Sequence, residues 1–149
     1  MPELNDCEGA RIRMSEELTT QTIRITGFNG DEIEAYLAVP DDNAASRGSV
    51  VVIHHMPGYD TSSKEIVRKF AANGYAALMP NLYFREAPGA SPDDAAATAR
   101  ANGGVPDGRL VGDVAGAADY LRALQNSNGK VGVIGYCSGG RQSDRKSVV

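Results

Sequence analysis

A chain of 149 residues that is 42% hydrophobic and 23% charged has the balance of an ordinary globular domain, so one packed core is expected rather than a disordered or fibrous chain. Its formal net charge of −4, with no Trp and 6% aromatic residues, supplies no basic stripe for a phosphate backbone and argues against a nucleic-acid partner. The longest apolar runs, such as Val50 to Ile53, fall far short of the roughly 20 residues that span a bilayer, so no membrane partner is expected.

The acidic start, Met1 to Glu8, lacks the basic residues and apolar stretch of a signal peptide, which predicts a cytoplasmic protein with a flexible N-terminus over residues 1–17. Leu18 to Thr26 alternate apolar and polar side chains, Asn29 and Gly30 carry turn chemistry, and Glu32 to Val39 alternate again, which predicts a β-hairpin. Ser49 to His55 contains the continuous run Val50 to Ile53 expected of a strand buried on both faces, so the sheet turns parallel there. Ser62 or Ser63 can cap a following helix whose apolar face is Ile66, Val67 and Phe70 and whose stop is Gly74. Tyr75 to Met79 is the next strand. A short helix is expected around Asp93 to Ala101, and a longer one from Asp107 to Gln125 with Leu110, Val114, Ala117, Ala118, Leu121 and Leu124 on one face. Ser127 to Lys130 then turns the chain into a last strand, Val131 to Tyr136. Strands alternating with helices after a leading hairpin give an α/β fold with no repeat or linker to divide it.

Two cysteines, Cys7 and Cys137, make neither a disulfide framework nor a spaced metal site, so thiol chemistry rests on one cysteine alone. The last strand runs into Gly135, Tyr136, Cys137, Ser138, Gly139, Gly140, a G-x-S-x-G nucleophile elbow with cysteine in the serine position. Small residues must flank the nucleophile because the strand-to-helix turn is sharp and the helix packs close. The turn also sets the thiol at a helix N-terminus, where partial positive charge favours thiolate. A buried structural cysteine beside a glycine turn is the plainer alternative, but a strand before it and glycines on both sides weigh against that.

The segment NSNGKVGVIGYCSGG, with MPNLYFREAPG at residues 79–89, resembles the dienelactone hydrolase family, over a stretch from about residue 20 to Gly140. The resemblance implies an α/β-hydrolase fold, a Cys, Asp, His triad, and small carboxylate-bearing lactones or esters as substrates; no cofactor or metal is expected. Residue by residue it implies Cys137 as nucleophile, the backbone N–H groups of Ser138 and Met56 as the oxyanion hole, and Arg85 as the holder of a substrate carboxylate. Read without the resemblance, Arg85 is a solvated loop cation. Where the best-known members carry a glutamate beside the nucleophile, this turn reads His54, His55, Met56, Pro57, Gly58, which puts His55 in the glutamate's place. An imidazole there can accept a proton from Cys137 or can simply brace the loop. Adjacent residues at a strand end point to opposite sides, so His54 is not made catalytic, and two neighbouring histidines without a third ligand make a poor metal site.

In this fold the acid and the histidine follow the nucleophile, yet SGGRQSDRKSVV after Cys137 holds one acid, Asp144, and no histidine. The chain is therefore expected to be the N-terminal part of a longer hydrolase: residues 18–143 a partial hydrolase domain truncated just after the elbow, and 144–149 a polar, unpatterned, non-native tail. The parent would be a monomer or small homo-oligomer. The chain as given would be inactive and poorly soluble, its last strand left as an open edge. Two other readings compete: a cysteine-elbow amidotransferase-like protein, which the leading hairpin and NLYFREAPG argue against, and a non-catalytic remnant.

Overall fold

The computed structural model describes residues 18–41, 46–55 and 58–135. Strands β1 (Leu18–Thr26) and β2 (Glu32–Pro40) pair antiparallel in unbroken register from Leu18 opposite Pro40 to Thr26 opposite Glu32. A 3-10 turn at Phe28–Gly30 joins them, with Asn29 at φ 61° and Gly30 at φ 78°. Two successive left-handed residues reverse the chain within a few positions, and Asn and Gly are the residues that tolerate that region at least cost. The hairpin is where the alternation placed it.

Among the described residues three further strands join the same sheet: β3 (Arg47–Ile53), β4 (Ala76–Pro80) and β5 (Ser127–Gly135), in the spatial order β1-β2-β4-β3-β5. β2 meets β4 antiparallel, whereas β3 runs parallel to both β4 and β5. Helices α1 (Thr61–Ala72), α2 (Pro92–Ala101) and α3 (Asp107–Arg122) connect these strands. The two-residue side-chain period of β3 and β4 sorts them into two cores. Val51, Ile53, Ala76 and Leu78 pack with Leu110, Val114 and Leu121 of α3 and the alanines of α2, while Val52, Ala77 and Met79 pack with Val67 and Ala71 of α1. Both faces of these strands are covered, which is why their sequences read as continuous apolar runs.

Two local expectations are corrected. The N-cap of α1 is Asp60, whose Oδ1 accepts the Ser63 N–H at 2.8 Å, rather than Ser62 or Ser63. An Asp one residue ahead of the run satisfies an orphan amide of the first turn and places negative charge at the positive helix end. The last strand begins at Ser127, because Arg47 pairs with Ser127 across an irregularity before the regular register resumes at Ser49 and Val131. Among the described residues β5 has β3 as its one neighbour and forms an edge of the sheet. Val131, Val133 and Ile134 along it are half-buried.

Candidate active site

Where strands run parallel, chemical groups collect beyond their carboxyl ends. β3 and β5 lie side by side with Ile53 paired to Gly135 at the last described step. His54 and His55 follow Ile53 directly. Cys137, Met56 and Ser138, expected as nucleophile and oxyanion donors, lie outside the described residues, while His55 and Arg85 lie within them.

His54 is buried and both of its ring nitrogens are used. The Leu82 N–H donates to Nε2 at 3.1 Å, and Nδ1 lies 3.0 Å from the His55 carbonyl. A backbone amide can only donate and a carbonyl only accept, so the ring is neutral with its proton on Nδ1. Its edge rests on Tyr83, ring centroids 4.8 Å apart. Burial lowers its pKa to about 4, since a charged ring there would have no water around it. His54 therefore ties the end of β3 to the segment after β4.

His55 points elsewhere. The Gly58 N–H donates to the His55 carbonyl at 2.9 Å and the Asp60 N–H to the Gly58 carbonyl at 3.0 Å, which folds the chain back on itself. Gly58 has φ 112°, a conformation that favours glycine, and a Cβ there would stand 3.3 Å from the Tyr83 ring. The result brings Asp60 Oδ2 to 3.4 Å from His55 Nε2 while Oδ1 caps α1. Burial pushes the Asp60 carboxyl up, but its hydrogen bonds from Ser63 and the neighbouring histidines outweigh this and hold it below the ordinary carboxylate value, hence charged. The other nitrogen, His55 Nδ1, is shielded from solvent and has no hydrogen-bond partner among the described residues. Sequence reasoning missed Asp60. Its signal was an Asp immediately before the polar opening Thr61-Ser62-Ser63 of a helix, five residues after His55.

Arg85 is held by four hydrogen bonds among the described residues. Its Nη1 donates to Asp113 Oδ2 at 2.8 Å, Nη2 to Asp113 Oδ1 at 2.9 Å and to the Phe28 carbonyl at 3.3 Å, and Nε to Asp31 Oδ2 at 2.9 Å. Asp113 sits in the middle of α3 with no exposed surface and also accepts the Phe28 N–H at 2.9 Å. These bonds, above all those to Asp113, push the guanidinium pKa up and keep it charged. In this structure the fork grips an internal carboxylate and ties the β1–β2 turn to α3. Glycines let the two approach: a Cβ on Gly116 would lie 2.0 Å from the Thr26 carbonyl oxygen, one on Gly112 2.7 Å from Phe28, and one on Gly27 2.3 Å from Asp113 Oδ1.

Among the described residues no group of three or more His, Cys, Asp or Glu is placed to hold a metal ion, and no helix is long and apolar enough to cross a membrane.

Residues 33–145 match the model of the dienelactone hydrolase family. The carboxymethylenebutenolidase of Pseudomonas putida is 32% identical over 128 residues, which are 83% of this chain and 53% of that protein. Carboxymethylenebutenolidase 1 of Cupriavidus pinatubonensis is 33% identical over 132 residues, 79% of this chain and 52% of its own. Among solved structures, a dienelactone hydrolase-like promiscuous phosphotriesterase from metagenomic libraries superposes with a TM-score of 0.65 at 21% identity, over 87% of this chain and 54% of that one. The chain thus spans about half the length of the relatives it matches. The sheet order, the helices on both faces and the match over 33–145 lead to one conclusion: this chain belongs to the dienelactone hydrolase family.

Proposed function

We propose that the protein carrying this chain hydrolyses small esters or lactones through Cys137, with His55 as the thiol's proton acceptor and the backbone N–H groups of Met56 and Ser138 as oxyanion donors. One observation supports this most: the parallel pairing of β3 and β5 matches Ile53 to Gly135, and these residues stand in the sequence two places before His55 and Cys137 respectively. Family membership supports the reaction class and disfavours the amidotransferase-like alternative. In the reaction the Cys137 sulfur, its proton passed to imidazole, attacks the acyl carbon. The ester C–O bond breaks as the alkoxide recovers that proton, leaving a thioester, and water then cleaves the C–S bond to give the carboxylic acid and the free thiol. Two N–H donors aimed at the developing oxyanion are worth the most during both tetrahedral stages. Arg85 is left out of this assignment because its donors are occupied by Asp113, Asp31 and Phe28. Turnover of a p-nitrophenyl ester by the full-length protein should be lost in Cys137→Ala. Limited iodoacetamide at neutral pH should label Cys137 ahead of Cys7; labelling of Cys7 first would count against the elbow assignment.

A further inference from the structure

We propose that Asp60 is a positioning residue for His55: its carboxylate fixes the neutral imidazole as the Nε2–H tautomer and so leaves Nδ1 as the proton-accepting nitrogen. The inference rests on the reading of His55 just given. Its geometric basis is a carboxylate with one oxygen on a backbone N–H and the other within ion-pair distance of the ring. Oδ1 takes the Ser63 N–H at 2.8 Å, so the side chain cannot rotate without uncapping α1, and Oδ2 is thereby held 3.4 Å from His55 Nε2. A charged carboxylate can only accept, so the nitrogen facing it is the protonated one. The lone pair then falls on Nδ1, the atom that is shielded from solvent and unpartnered among the described residues. A carboxylate on one ring nitrogen and a free lone pair on the other is the arrangement by which an acid orients a catalytic histidine. Here it arises within one turn, between a strand end and the helix that follows. His54, one residue away, carries the opposite tautomer, with Leu82 N–H on Nε2 and the His55 carbonyl at Nδ1, so it supplies an internal reference.

Asp60→Asn separates the two tasks of this side chain. Asn caps helices as well as Asp, so its amide oxygen should stay on the Ser63 N–H and α1 should be undisturbed. The amide NH2 must then face Nε2, which becomes the acceptor, and the imidazole proton moves to Nδ1. The experiment is 15N NMR of the histidine side chains at about pH 8.5, two units above an ordinary imidazole pKa, in wild type and Asp60→Asn, with Asp60→Ser as a second variant that keeps a cap but cannot reach the ring. We expect Nε2–H for His55 and Nδ1–H for His54 in wild type, Nδ1–H for both in Asp60→Asn, and a tautomer mixture at His55 alone in Asp60→Ser. A wild-type His55 protonated on Nδ1, or an unchanged His55 in Asp60→Asn, would overturn the proposal. Alkylation of Cys137 reads the function separately. With Nδ1 blocked, the thiol loses its base and keeps only the help of the helix N-terminus, so labelling should slow, by at most about 30-fold, the limit set by an ordinary thiol of pKa about 8.5 that is about 3% thiolate at pH 7. A flipped tautomer with unchanged alkylation would refute His55 as the base of Cys137 while leaving its coupling to Asp60 intact.

Discussion

Replacing Arg85 by Met keeps the apolar stem and removes the guanidinium, which strands a carboxylate. Asp113 has no exposed surface and would be left, among the described residues, with a single donor, the Phe28 N–H at 2.9 Å. Removing one partner of a buried ion pair costs about 3–5 kcal/mol, most of it the penalty of an uncompensated buried charge. The Arg85 side chain is 18% exposed, so water can partly replace it and the low end, about 3 kcal/mol, is expected. At about 2–4 °C per kcal/mol, that corresponds to a melting temperature lower by about 10 °C. Asp113→Asn in the Arg85→Met background neutralises the stranded charge while retaining an acceptor for Phe28, and should recover about 2 kcal/mol. Thermal and urea unfolding of the wild type, both single variants and the double variant closes the cycle. If Arg85→Met melts within about 2 °C of wild type yet selectively loses turnover of substrates with a free carboxylate, the structural assignment is wrong and the guanidinium belongs to the substrate.

The close approach of α3 to the β1–β2 turn makes two glycines of one helix behave oppositely. Gly116→Ala drives a methyl into the Thr26 carbonyl and should cost about 3 kcal/mol, whereas Gly108→Ala meets nothing within 4 Å and should stabilise by about 0.5–1 kcal/mol; equal effects in urea unfolding would refute the packing described. His54 should make stability depend on acid. Its pKa is depressed to about 4 in the folded chain, so its contribution is complete above the ordinary imidazole value and is lost as pH falls from about 6.5 towards 4, a loss of about 2 kcal/mol by pH 5. Urea midpoints at pH 7.5 and 5 should therefore converge in His54→Gln, and an undiminished gap in that variant would show that another group carries the effect.

The local features of this chain were legible because each depends on neighbours a few residues away. Alternation in Leu18 to Thr26 and Glu32 to Val39, turn chemistry at Asn29-Gly30, the apolar run Val50 to Ile53 and the helical spacing of Leu110, Val114 and Leu121 each satisfy a backbone periodicity without reference to the rest of the fold. The motif at Gly135 to Gly139 is of the same kind, and it led to the family that the match over residues 33–145 supports. What the pattern could not supply were the partners of its charged side chains. Arg85 read as a free loop cation or a substrate clamp because its counter-ions are Asp113, 28 residues away, and Asp31, 54 residues away. Asp113 itself lay among apolar helix positions, and the one cation a helical turn away, Arg109, pairs with Glu86 instead. Asp60 was close to His55 in sequence, yet their pairing depends on a reversal of the chain at Gly58 and on the Ser63 N–H holding the carboxylate in place. Apolar burial is non-directional, so a periodic stripe is enough to announce it. A salt bridge or a hydrogen bond requires particular atoms at particular distances, and those distances exist only after the β1–β2 turn, the segment after β4 and α3 have been stacked together.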